Sequence, residues 1–285
     1  MAAYTRTPGR RCENINKIVV IRGGGDLATG VASKFHRAGF NVLILETETP
    51  TAIRRSVALC EAAYDGVMMV EDMTCRKISE IDEVKKCWNE GSIPLFIDAE
   101  GKSVKELKPV AVIDAILAKR NLGTTRDMAE VTIALGPGFT AGEDVHVVIE
   151  TLRGNDLGRM ILQGQAKPDT GIPGEVGGES LRRVIHAPST GIITHKKQIG
   201  DIVKQGEVLF TIDGSEGQSI EVNAPFDGLL RGLIREGLQV KKGLKVADID
   251  PRTDIDWRKI SDKAQCLGDA TLEAFYFLSQ RNGER

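Results

Sequence analysis

The chain has 285 residues, 41% of them hydrophobic and 27% charged, which is enough for two ordinary domains and too apolar for a disordered chain. Its 38 basic and 40 acidic side chains leave a net charge of −2, and aromatic residues make up 5%, so the chain offers nucleic acid neither a basic surface nor many stacking platforms. No apolar run approaches the ~20 residues of a membrane-spanning helix, and the expectation is a soluble, cytoplasmic protein that binds no nucleic acid and no membrane.

Residues 1–16 carry Arg6, Arg10 and Arg11 without an apolar stretch and read as a flexible extension, not a secretory signal. An apolar run over residues 17–21 ends in Arg22-Gly23-Gly24-Gly25. A helical pattern follows with Leu27, Val31, Phe35 and Ala38 on one face, and a second apolar run covers residues 41–45. Strand, glycine turn, helix and strand within about 30 residues form a βαβ signature. The spacing then predicts a helix over 51–63, a strand over 66–70, a helix over 78–89 and a strand over 93–97. Further apolar runs cover 110–113, 131–135 and 145–149. Such alternation predicts a Rossmann-like domain over residues 17–152, with a mostly parallel sheet covered by helices.

Residues 153–180, rich in Gly, Pro and Asp, read as a connection. Beyond it lies an internal repeat. At an offset of 37 residues, Ala187/Ala224, Pro188/Pro225, Gly191/Gly228, Gly200/Gly237, Val203/Val240, Lys204/Lys241, Gly206/Gly243, Ile212/Ile249 and Asp213/Asp250 coincide. A half this small cannot bury both faces alone, so two copies are expected to pack as a barrel-sandwich hybrid domain over residues 181–250. Residues 251–285 contain a C-terminal helix, with Ser261 as N-cap and Gly283 beyond its end.

Gly23-Gly24-Gly25-Asp26-Leu27-Ala28 satisfies G-x-G-x-x-A between a strand and a helix. Glycine lets the backbone approach a phosphate at the positive helix end, and Glu46, closing the second strand, stands where an acid can bond a ribose. Asp26 could instead cap the helix amides itself. Pro50-Thr51-Ala52-Ile53-Arg54-Arg55 follows the second strand, where two arginines could hold a phosphate. The predicted cofactor-binding edge therefore comprises Gly23, Gly25, Asp26, Thr29, Glu46, Thr51, Arg54 and Arg55. Gly136-Pro137-Gly138-Phe139 and Glu150-Thr151-Leu152-Arg153-Gly154, each after an apolar strand, could close over a ligand or merely connect, and spacing alone favours connecting turns.

Cys12, Cys60, Cys75, Cys87 and Cys266 form no C-x-x-C pair, and His36, His146, His186 and His195 are scattered, so no metal site is expected and no catalytic residue is assigned. The repeat resembles biotinyl and lipoyl domains. However, the hairpin joining its halves, Gly214-Ser215-Glu216-Gly217-Gln218-Ser219, has no lysine to carry biotin or lipoate.

Gly-Gly-Asp-Leu-Ala-Thr-Gly-Val-Ala at 24–32, Pro-Thr-Ala-Ile-Arg-Arg at 50–55, Ala-Leu-Gly-Pro-Gly-Phe at 134–139, Glu-Thr-x-Arg-Gly-x-x-Leu-Gly at 150–158 and Gly-Ile-Pro-Gly at 171–174 together resemble the YqeB-type family, from about residue 16 to the tail. That resemblance implies a maturation role for selenium-dependent molybdenum hydroxylases: handling the molybdenum cofactor or its selenium ligand for an apo molybdenum hydroxylase. The theme is similar to that of XdhC-type insertion chaperones. Arg22-Gly23-Gly24-Gly25 stands where family members often have Lys-Gly-Ala-Gly, and Asn155 where a histidine is expected. The cofactor implied is a molybdopterin-type group. The glycine turn read alone points to NAD and an NAD-linked oxidoreductase, and the β domain alone to a non-catalytic scaffold. Whether the chain turns over a substrate or forms a homo-oligomer stays open at this point.

Overall fold

The computed structural model describes residues 17–283 apart from Pro173, Ser215 and Glu216. The expected extension over 1–16, Cys12 and the centre of the joining hairpin therefore lie outside the described residues. The strands and helices are β1 (Ile18–Arg22), α1 (Asp26–Arg37), β2 (Asn41–Glu46), α2 (Ala62–Asp65), β3 (Val67–Val70), β4 (Met73–Ile78), α3 (Val84–Asn89), β5 (Ile93–Ile97), α4 (Val104–Leu107), β6 (Ala111–Asp114), β7 (Val131–Leu135), β8 (Thr140–Ala141), β9 (Val147–Ile149), β10 (Met160–Ile161) and β11 (Gly164–Gln165). They continue with β12 (Val184–His186), β13 (Gly191–His195), β14 (Ile202–Val203), β15 (Val208–Asp213), β16 (Ser219–Asn223), β17 (Gly228–Leu233), β18 (Gln239–Val240), β19 (Lys245–Asp250) and α5 (Asp262–Gly283). No helix among the described residues is long and apolar enough to cross a membrane.

The expected pairing of a Rossmann-like parallel domain with a barrel-sandwich domain is corrected by the sheets that form. The large sheet has nine strands in the order β10-β9-β7-β6-β1-β2-β5-β4-β3 and is mixed: β3 runs antiparallel to β4, and β10 antiparallel to β9. The remaining strands make separate antiparallel sheets, β11-β8, β12-β19-β17-β14 and β16-β15-β13-β18. The helical alternation inferred from apolar spacing breaks down between β2 and β5. Residues 51–63 form two 3-10 turns and the start of the short α2 instead of a helix. Residues 73–78 are a strand, with Met73, Cys75 and Ile78 buried and Arg76 and Lys77 exposed, and a tight turn through Glu71 at φ 53 folds it back on β3. Alternation of this kind favours a strand over a helix. Gly283, expected past the last helix, lies within α5.

β1 alternates between the two faces of the large sheet. Val19 and Ile21 enter the core that holds α1 and α5, whereas Ile18 and Val20 enter a smaller core with Leu43, Val84 and Val104. At the end of β1 the buried Arg22 donates to Thr124 Oγ1, Ala99 O at 2.8 Å and Leu122 O at 3.1 Å, and its Nη1 lies 3.8 Å from Asp114. Arg22 is thereby spent on tying two loops to the end of β6.

The 37-residue repeat appears directly in the strands: β13, β14 and β15 start 37 residues before β17, β18 and β19. The short strands are exchanged, β14 pairing with β17 and β18 with β13, so neither copy closes without the other. One core of Ile193, Val203, Leu209, Phe210, Leu230, Val240 and Ile249 serves both four-stranded sheets.

Helix α5 lies along α1. Phe35 packs edge-on against Phe275 with centroids 5.7 Å apart, and Lys34 pairs with Asp269 at 2.6 Å. A Cβ at Gly30 would stand 2.2 Å from Ala264 O, and one at Gly268 would stand 2.5 Å from Gly30 O. Successive contacts advance in the same direction along both chains, so the helices are parallel and start at the same end of the sheet. Gly30→Ala is expected to cost roughly 1–3 kcal/mol in denaturant unfolding, by overpacking that outweighs alanine's helix preference. An unchanged or raised midpoint would contradict this contact.

Candidate functional site

Because β1, β2, β6, β7 and β9 are parallel, the segments that follow them emerge at one edge. Those segments touch. A Cβ at Gly23, whose φ is +94, would lie 2.9 Å from Ala115 O after β6; one at Gly136, after β7, would lie 2.7 Å from Thr151 Oγ1 after β9. Four of the five sequence segments that carry the family resemblance thus begin at this edge.

The glycine turn is held from within. The Gly24 amide donates to Glu46 Oε2 at 2.8 Å, and the Thr47 amide donates to Glu46 Oε1 at 2.8 Å. Both carboxylate oxygens serve the backbone, and burial raises the Glu46 pKa against the pull of those amides. Thr29 donates to Gly25 O at 3.0 Å and accepts from the Leu59 amide at 3.0 Å. Gly25 is the N-cap of α1 and supplies no side-chain cap, and a Cβ built on it meets no heavy atom within 4 Å. The start of α1 therefore opens onto free space. Asp26 does not cap the helix; its carboxylate lies 3.5 Å from Arg54. Thr51 is exposed.

The arginine pair faces the repeat module. Arg54 donates twice to Asp248 Oδ2, at 2.6 and 3.0 Å, and Arg55 Nε donates to Leu233 O at 2.8 Å. The Leu233 amide in turn donates to Ile53 O at 2.7 Å, and the Ile53 side chain enters the core of the repeat. This is why residues 51–55 are not helical: they dock as a short extended peg. Room for the peg comes from Gly232, where a Cβ would press on Ile53 at 3.3 Å.

Around the peg lies a dense charge network that motif reading does not reveal. Asp248 also accepts from Arg183 at 3.3 Å, and the fully buried Asp250 accepts from Arg231 at 3.1 Å and Arg252 at 2.9 Å. Arg153 holds Asp262, at the start of α5, through two 2.9 Å bonds. Lys245 and Lys263 feel the charges of Asp26 and Arg54, yet among the described residues neither has a carboxylate within ion-pair distance. Burial lowers both lysine pKa values; the Asp248 and Asp26 charges oppose this at Lys245, whereas Arg153 and Arg54 add to it at Lys263. Lys245 is exposed and Lys263 half-buried.

A sequence signal for these residues exists in the broken symmetry of the repeat. At the 37-residue offset, Thr194, His195, Val208 and Thr211 of the first copy become Arg231, Gly232, Lys245 and Asp248 in the second. The second copy alone is fitted to the sheet edge.

The other candidates are structural. His146 Nδ1 accepts from the Thr132 amide at 3.0 Å, and Glu150 accepts from the Leu152 and Lys167 amides. No group of three or more His, Cys, Asp or Glu among the described residues could hold a metal ion. A cavity of about 570 Å³ beside the end of β5 is lined by Glu80, Asp98, Glu100 and Glu106 with Lys102, which does not suit an anion.

No protein-family model matches the chain. It is 48% identical over 264 residues, 92% of its length, to the uncharacterized protein YqeB of Escherichia coli K12. The chain spans about half of that relative, 48% of its length. Among solved structures it is similar to the product-bound ectoine utilization protein EutE (DoeB) of Ruegeria pomeroyi, with 15% identity, 82% of this chain and 57% of that one covered, and a TM-score of 0.23. It is also similar to an aspartoacylase family protein of Mesorhizobium loti, with 14% identity, 74% and 57% covered, and a TM-score of 0.25. Likeness at that level says nothing of this chain's chemistry.

Tyr64 reports on the junction. It donates to Pro50 O at 2.7 Å and lies under the Arg235 guanidinium, 4.5 Å from its ring centroid. Burial, with the nearby Glu61 charge, pushes its pKa up to about 12 despite Arg235. Ultraviolet titration is expected to show one late-ionising tyrosine that disappears in Tyr64→Phe. Ionisation of every tyrosine near the ordinary value of ~10 would contradict this packing.

Proposed function

We propose that this chain is an accessory protein in the maturation of selenium-dependent molybdenum hydroxylases, which binds a phosphorylated pterin or a nucleotide at the sheet edge and passes the molybdenum cofactor or its selenium ligand to an apo-hydroxylase. The observation that carries this reading is the uncapped start of α1 at Gly25, open to solvent where the family-type segments gather. Backbone amides at a helix start attract phosphate through their unpaired N–H groups and the positive end of the helix dipole. The likeness to YqeB over 92% of the chain supports the family side of the reading. Arg54 and Arg55 contribute through the junction they hold, since Arg54 Nε and Nη2 go to Asp248 and Arg55 Nε to the Leu233 carbonyl. Glu46 has both oxygens on backbone amides, which leaves little for a ribose.

The test is native mass spectrometry with pterin fluorescence on the full chain isolated from its host, alongside titrations with molybdopterin and NADH. Bound pterin is expected. Gly25→Ala, which adds a methyl group only to open space, is expected to keep the fold and weaken binding by about tenfold or more, ~1.4 kcal/mol. Tight NADH binding without pterin would replace this reading with an NAD-linked oxidoreductase, and binding of neither would favour a scaffold acting through the repeat module.

A further inference from the structure

We infer that the charge network of the junction contains a buried binding site for one small monoanion, a halide or a lone carboxylate, at Nε of Arg183. The site is separate from the start of α1 and does not rest on the phosphorylated ligand proposed above.

Two independent observations carry it. The first is an unmade bond. Arg183 is 5% exposed, and its Nε is buried without a hydrogen-bond partner. Its other two nitrogens bond at longer range: Nη1 donates to Gly174 O at 3.1 Å and Nη2 to Asp248 at 3.3 Å. The aspartates give their short contacts elsewhere, Asp248 to Arg54 at 2.6 Å and Asp250 to Arg252 at 2.9 Å. A buried N–H left unpaired forfeits its hydration for nothing, which native interiors rarely allow. Nε therefore calls for an acceptor that no protein group among the described residues supplies.

The second is a charge count that closes on itself. From Arg183, ion pairs lead to Asp248 and Asp250, from these to Arg54, Arg231 and Arg252, and from Arg54 to Asp26. Among the described residues no further ion pair extends this network. Four arginines against three aspartates leave one positive charge in excess. Arginine does not lose its proton in proteins, so the excess cannot be titrated away. Burial and the Arg54 charge both press on Arg231, whose pKa lies below the ordinary arginine value despite its bond to Asp250.

A water molecule at Nε would answer the first observation and leave the second. One monoanion answers both, and a dianion would overshoot. The occupant is small, because Nε is closed to solvent and Gly174 above it is itself packed on Arg153, where a Cβ would stand 2.8 Å from Cδ. A charged acceptor also makes the stronger bond to a guanidinium.

The experiment follows the arginine Nε–H signals of the isotope-labelled full chain by NMR during titration with chloride, bromide and formate, at ionic strength held constant with isethionate, a sulfonate too bulky for a closed site. Arg183→Lys assigns the signal, and urea unfolding of the unaltered chain in the same salts needs no variant. Halide is expected to shift the Arg183 signal to saturation and to raise the urea midpoint above that in isethionate. Arg252→Gln removes the excess charge at an exposed residue while Arg231 stays on Asp250, so this variant is expected to fold and to bind halide about tenfold more weakly. Formate acting like chloride would mark a site that also takes a carboxylate, and halide acting alone would mark a site for a single spherical ion. Both results support the inference. It is overturned if halide and isethionate are equivalent in both measurements, which leaves water at Nε, or if Arg252→Gln binds halide as tightly as the unaltered chain.

Discussion

The molecule turns on one buried carboxylate. Asp248 sits on the central β19 of a small antiparallel sheet and receives Arg54 from the edge of the large sheet and Arg183 from the segment that leads into the repeat. Taking these charges out of water is costly, and the cost is offset only while the partners stay together. The peg at Ile53 adds apolar burial and a backbone bond from the Leu233 amide, and the Arg55 side chain donates to the Leu233 carbonyl, so the electrostatic contact and the packed contact restrain the same few residues. With the peg in place, Arg54 stands between Asp26 in the first turn of α1 and Asp248 of the repeat, so the start of α1 and the repeat meet through one side chain.

The repeat illustrates how such a junction can arise from a symmetric precursor. A swapped pair of copies needs only glycines and apolar residues at matched positions to close its core. The remaining positions are free to diverge, and in the second copy four of them have become Arg231, Gly232, Lys245 and Asp248. Two of these are charged groups that lock or line the junction, Arg231 neutralises part of Asp250, and the glycine makes room for Ile53.

Much of this was legible in the residues alone. The apolar runs of β1, β2 and β5 to β7, the glycine turn, the long C-terminal helix and the repeat all announce themselves through local periodicity. The fold class did not follow, because periodicity cannot tell a short crossover helix from an extended peg. Residues 51–63 have helix-compatible spacing, yet Leu233 and Asp248, almost 200 residues away, claim their backbone and side chains. The roles of Arg54 and Arg55 were hidden for the same reason: an arginine after a strand looks like a ligand donor until its buried acceptor is known. Asp248 and Arg231 escaped because a lone charge on a strand resembles any solvated residue until one repeat is compared with the other.

The most direct measurement of the central claim is a double-mutant cycle on the junction, with Arg54→Met, Asp248→Leu and the double variant compared by denaturant unfolding. Each single change leaves a buried charge without its main partner and is predicted to cost about 3–5 kcal/mol. The double variant is predicted to recover part of that loss, with a coupling of about 2 kcal/mol or more. Single costs that simply add, within ~0.5 kcal/mol, would show that Arg54 and Asp248 do not hold the two parts together.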